Sequence, residues 1–144
     1  MILGGISFLG SHCLLMGLFL HNIHFAAAPW FRLLPVAAVY ALLSVISIRS
    51  IWDNTPKLML YAFGLYLLTN SGMNLLALLQ LLTSPHPGAA ISYAGAVLFF
   101  LSDCILLPVR YHRNPDLVPK KHFPVMLCYL SGEFLITLGM FMMA

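Results

Sequence analysis

Charge is scarce in this sequence. Of its 144 residues 8% are charged, only four are acidic and 61% are apolar, where an ordinary soluble domain carries roughly a quarter charged residues. The shortage excludes a water-facing surface and so a soluble globule. Cysteine is nearly as scarce. Cys13, Cys104 and Cys128 lie in apolar stretches, and an odd number of thiols without paired spacing gives neither a disulfide framework nor a zinc motif. All three read as small buried hydrophobes. A Gly-rich phosphate loop, a Gly-x-Ser-x-Gly elbow and a His-Glu-x-x-His pair are absent as well, which leaves phosphate-loop, serine-elbow and zinc-peptidase chemistry without support. No motif calls for a cofactor. His21, His24 and His86 fall on one face of the membrane but come from two loops and a helix end, a poor metal site. There is no internal repeat and no low-complexity tract.

What the sequence has in abundance is long apolar runs. A helix crossing a hydrocarbon core of roughly 30 Å needs about 20 such residues, because unpaired backbone groups in lipid cost several kcal/mol each. Residues 2–21, 33–51, 58–82, 89–109 and 123–143 meet the requirement. The expected fold is therefore all-α: a polytopic membrane protein, a bundle of about five transmembrane helices forming one domain over 1–144. Ala26, Ala27 and Ala28 resemble a signal-peptide cleavage site, but the first run lacks a basic leader and is followed by four more, so it is read as a true helix. Proline stands near each break, and Trp30, Trp52 and Tyr111 sit beside breaks, where amphipathic rings prefer the headgroup layer.

The distribution of charge says more than its net value of +3. With alternate loops assigned to alternate faces, Arg49, Lys57, Arg110, Arg113, Lys120 and Lys121 fall on one side and Arg32 alone on the other. The positive-inside rule puts the Trp52 loop and the loop 111–121 in the cytoplasm and the C-terminus outside. The expected location is a cell membrane, plasma or bacterial inner. Basic loops of this kind serve topology, and nucleic acid is not an expected partner.

Ionisable groups at mid-membrane cost roughly 2.5 to 3.5 kcal/mol on insertion scales, so they face the bundle interior and mark function. Three occur here: His12, Asp103 and Glu133. Asp103 lies about 10 Å from the cytoplasmic end of the fourth span, on a stripe with Ser92, Gly95, Ala96 and Phe99 whose small residues let a neighbouring helix approach closely. A carboxyl withheld from water can keep a proton and deliver it as a general acid, or it can merely hydrogen-bond its neighbours. Glu133 lies about 16 Å in from the same face, with Tyr129 and Thr137 one turn away on either side. Tyr66, Asn70 and Asn74 form a second polar stripe on the third span. The two stripes facing each other near Asp103 make a polar cavity suited to a lipid with a polar head; interhelical hydrogen bonding alone is the other reading. His12, near Ser7 and Ser11, is a pocket residue, a proton carrier or a buried hydrogen-bonding group.

Residues 95–111, GAVLFFLSDCILLPVRY, resemble the Gly-Ala-x-Leu-Phe-x-x-Ser-Asp-x-x-Leu pattern of the lysoplasmalogenase-like membrane proteins, the YhhN type. SFLGSHCLL at 7–15 is similar to that family's Phe-x-x-Ala-His segment and aligns His12 with its histidine. CYLSGEFLI at 128–136 resembles its Tyr-Tyr-x-x-Gln-x-Leu-Ile ending, with Glu133 where glutamine is usual, and Pro56 with Tyr61 fits the start of its middle span. The resemblance covers essentially the whole chain and aligns it with the later spans of the family, so that the family's earlier Gly-Asp motif, whose aspartate is thought to act with the one matched by Asp103, is not among the matched residues.

The resemblance implies hydrolysis of the vinyl ether bond of a lysoplasmalogen to a fatty aldehyde and a glycerophospho-base. It makes Asp103 the acid or charge stabiliser and Glu133 a substitute second carboxylate, the two catalytic candidates. His12, Asn70, Asn74, Tyr66 and Tyr129 are the candidates for holding substrate or water. The expected partners are a lysolipid substrate and membrane lipids, and Gly and Ala on several faces permit a homo-oligomer. A non-catalytic or truncated lipid-binding relative, or a small proton-coupled transporter, is the alternative.

Overall fold

In a computed structural model almost all of the protein's described residues are helical. The described residues are 2–21, 23, 29–112 and 122–143, with side chains from Leu9 in the first helix and from Phe123 in the last. His24, Ala26, Ala27, Ala28, Arg113, Lys120, Lys121 and the side chain of Ser7 lie outside them. Five helices follow one another: α1 Ile2–His21, α2 Trp30–Ile51, α3 Lys57–Thr83, α4 Pro87–Tyr111 and α5 His122–Phe141. Four helices among the described residues, α2 to α5, are long and apolar enough to cross a membrane. The described part of α1, Leu9–His21, is apolar but shorter.

Proline sets several boundaries. Pro56 precedes α3 and Pro87 opens α4, positions where a missing N–H costs nothing, and His86 Nδ1 accepts the Gly88 N–H at 3.1 Å. Between α2 and α3 a 3₁₀ turn, Trp52–Asn54, leads into the extended Thr55 that a following proline favours. Pro108 lies inside the last turns of α4 and has no N–H for the carbonyl of Cys104. Ser47 of α2 donates to that carbonyl instead, at 3.4 Å. In lipid a freed backbone acceptor needs such a partner.

The bundle is organised around α3 and α4. α1 packs chiefly on α3, α2 on both α3 and α4, and α5 on α4. Outward faces are mostly apolar: Leu42, Leu68, Leu130 and Phe134 are all exposed. Acyl chains are as apolar as these side chains, so helix association rests on close packing and hydrogen bonds rather than on expulsion of water. The α4–α5 seam shows both. A Cβ on Gly95 would lie 2.7 Å from the Gly132 carbonyl oxygen, and one on Gly132 would lie 2.9 Å from that of Gly95. Ser92 and Ser102 of α4 donate to the carbonyls of Ile136 and Val125 of α5, at 3.3 and 2.9 Å. The small-residue stripe does admit a close neighbour, and that neighbour is α5.

Candidate functional site

Asp103 projects from the middle of α4 into the bundle and is 3% exposed. Two donors on successive turns of α3 converge on one of its oxygens. The Tyr66 hydroxyl donates to Oδ2 at 2.7 Å, and Asn70 Nδ2 donates to the same atom at 2.5 Å. Helical spacing explains the pair: residues four apart lie one above the other on a helix face. The next residue on that face, Asn74, donates through Nδ2 to both the backbone carbonyl and Oδ1 of Asn70, each at 3.1 Å. Asn70 and Asn74 are both fully buried.

The row continues beyond α3. The Tyr40 hydroxyl of α2 donates to Asn74 Oδ1 at 3.2 Å and lies 3.4 Å from the Tyr93 hydroxyl of α4. Three helices are thereby stitched together by a single line of polar groups running from Tyr93 through Tyr40, Asn74 and Asn70 to Asp103. Satisfied polar networks of this kind are costly to break, because a group left alone in low dielectric keeps its full desolvation penalty.

His12 comes in from α1, 1% exposed, with its ring edge-on to Tyr66 at 5.5 Å and to Phe99 at 5.1 Å. On the other side of Phe99 lies Tyr129 of α5, ring to ring at 5.3 Å. The aromatic groups Tyr66, Phe99 and Tyr129 thus border the carboxyl on three helices.

The sequence model of the YhhN family matches residues 1–140. The chain belongs to the YhhN family. No curated protein and no solved structure matches it.

In this YhhN-family chain the candidates read from the sequence divide in two. Tyr66 and Asn70 of α3 reach Asp103, Asn74 follows on the same face, and His12 of α1 packs against Tyr66. Glu133 does not join them. It is exposed, with Thr137, on the outer side of α5, where it accepts the Tyr129 hydroxyl at 2.8 Å. The expectation that two polar stripes face each other across a cavity is corrected here. The rotation of α5 is set by the buried residues that touch α4, Gly132 and Gly139 with Val125 and Ile136, and a residue next to Gly132 is turned by about 100° from that seam. Tyr129 alone of that stripe, half-buried, reaches toward the site. Cys13 is also exposed and the other two thiols half-buried, so cysteine is less interior than expected; at this depth the outside is lipid, which suits a thiol equally well.

Two residues of the polar row, Tyr40 and Tyr93, were missed. Tyr40 has Ser44 and Ser47 at helical spacing and Tyr93 stands beside Ser92, but nothing within either helix marks which group its phenol meets, and only the packing of α2 against α4 brings the two hydroxyls together. Among the described residues no cluster of three or more His, Cys, Asp or Glu is placed to hold a metal ion, and His86 serves as the cap of α4.

Proposed function

We propose that this chain is a membrane-embedded hydrolase that opens the vinyl ether bond of lysoplasmalogens, releasing a fatty aldehyde and a glycerophospho-base, in a plasma or bacterial inner membrane. The observation that carries the reading is a carboxyl buried among membrane helices with two donors on one oxygen and none from the described residues on the other.

A vinyl ether is opened by protonating its carbon β to the oxygen. The bond between that carbon and a proton forms as the double bond's electrons shift, leaving an oxocarbenium ion at the ether carbon. Water adds there, its proton passes to a base, and the resulting hemiacetal collapses to aldehyde and alcohol. The site therefore needs an acid, a negative charge for the cation and a placed water. Asp103 serves the first two needs in turn. With Tyr66 and Asn70 held on Oδ2, the proton to be delivered sits on Oδ1, and the carboxylate left behind faces the cation without reorganising. Asn74 orients Asn70. His12, seated against Tyr66 and Phe99, orders the water, and Tyr129 closes the aromatic wall. Glu133 holds Tyr129 from outside and takes no part in proton delivery.

The test is aldehyde release from lysoplasmenyl-ethanolamine by the protein in detergent or nanodiscs, wild type beside Asp103→Asn. Folded wild type that releases no aldehyde overturns the reading. A polar row crossing three helices also suits a proton-coupled carrier, and solute uptake into proteoliposomes driven by a pH gradient, without aldehyde release, would favour that instead.

A further inference from the structure

A groove of about 370 Å³ runs between α2 and α4. Its walls are apolar: Pro35, Val39 and Leu43 from α2, Val97 and Leu101 from α4. Val39 and Leu101 are exposed, so the groove opens on the outside of two helices long enough to span a membrane. What surrounds it there is acyl chain, and its volume falls within the usual range of ligand sites, about 300 to 1,000 Å³. Among the residues that line it, Tyr40 and Tyr93 are the two with polar side chains.

The direction of the hydrogen bonds fixes what those hydroxyls can do. Asn74 points Nδ2 at the Asn70 backbone carbonyl, which can only accept, so its Oδ1 is turned to Tyr40. An amide oxygen cannot donate, and Tyr40 therefore gives Asn74 its one proton. The contact between the two phenols can then be made only by Tyr93 donating to Tyr40. With its proton committed, Tyr93 has lone pairs left and nothing to give, and no donor to its oxygen is found among the described residues.

We infer that the groove between α2 and α4 binds a single-chain lipid bearing a free hydroxyl, which donates to the Tyr93 oxygen while its chain lies along the apolar walls. The bilayer supplies such molecules as lysolipids, monoacylglycerols and long-chain alcohols. A lipid whose glycerol oxygens are all esterified or alkylated offers only acceptors at this depth, and these face another acceptor. Tyr93 lies about 15 Å from Asp103 along α4, so the groove is a second site, and it stands whether or not Asp103 is a hydrolytic acid.

The full chain in nanodiscs is photolabelled with a hexadecanol carrying a diazirine in its chain, and labelling is competed with hexadecanol and with its methyl ether, which keeps the chain and oxygen but has no donor. Adducts are expected on peptides from α2 and α4, with the alcohol competing roughly three- to tenfold better than the ether, the worth of one neutral hydrogen bond. Tyr93→Phe should erase that difference. Tyr40→Phe should also bring the two competitors near parity, because it frees the Tyr93 proton to meet an ether oxygen. Val39→Trp, made at the exposed rim, should block labelling without touching the polar row. Equal competition in the wild type, adducts confined to other helices, discrimination that survives Tyr93→Phe, or full labelling of Val39→Trp would each overturn the proposal.

Discussion

The hydroxyl of Tyr66 on α3 donates to Oδ2 of Asp103 on α4 at 2.7 Å, and so ties the two central helices of the bundle at the carboxyl itself. The proposed chemistry and the packing of the bundle share this bond. A group that orients the carboxyl also holds α3 against α4, and each substitution near it has two readouts.

Asp103→Asn keeps the size of the side chain and removes its acid. Aldehyde release is expected to fall by about a hundredfold or more, the usual worth of a placed general acid, while helix content by circular dichroism stays at the wild-type level. Retained turnover would assign the proton to another group.

Glu133→Gln places at this position the amide that the family pattern carries. Because the side chain is exposed and, among the described residues, accepts only from Tyr129, turnover is expected to stay within about twofold of wild type, as for other surface changes. A loss comparable to that of Asp103→Asn would bring Glu133 back as the second carboxylate.

The serine that covers the carbonyl freed by Pro108 gives a conditional prediction. Ser47→Ala is expected to cost about 0.5–1 kcal/mol in a reversible unfolding titration. The same change should cost close to nothing in a Pro108→Ala background, where the restored backbone N–H serves the Cys104 carbonyl. Equal costs in both backgrounds would show that the Ser47 bond contributes nothing.

The α4–α5 seam predicts a contrast among glycines. Gly132→Leu forces the backbones apart and is expected to lower stability by about 1–3 kcal/mol. Gly17→Ala, inside α1 and meeting nothing within 4 Å, should cause no loss in the same unfolding titration and a small gain from helix propensity.

Topology is open to direct labelling. Asp53→Cys, on the α2–α3 turn, should react with a membrane-impermeant maleimide from the cytoplasmic face, and Ser84→Cys from the outer face. The reverse pattern would invert the orientation read from the basic loops.

Apolar run length and proline placement determined the helices by themselves. The runs at 58–82 and 89–109 became α3 and α4 with one or two residues added at each end, because lipid leaves the backbone no alternative to internal hydrogen bonds. The stripe Tyr66, Asn70 and Asn74 was legible for the same kind of reason, since spacing within one helix fixes which side chains share a face. Rotation of each helix about its axis is not fixed by its own sequence when most outward residues are apolar and the surroundings are equally so. That choice fell to contacts between chain segments far apart: Gly132 against Gly95 turned Glu133 outward, and α2 against α4 joined Tyr40 to Tyr93. The tertiary structure alone decided which polar groups meet, because hydrogen bonds and close backbone contact are what orient helices in a solvent that does not sort apolar from apolar.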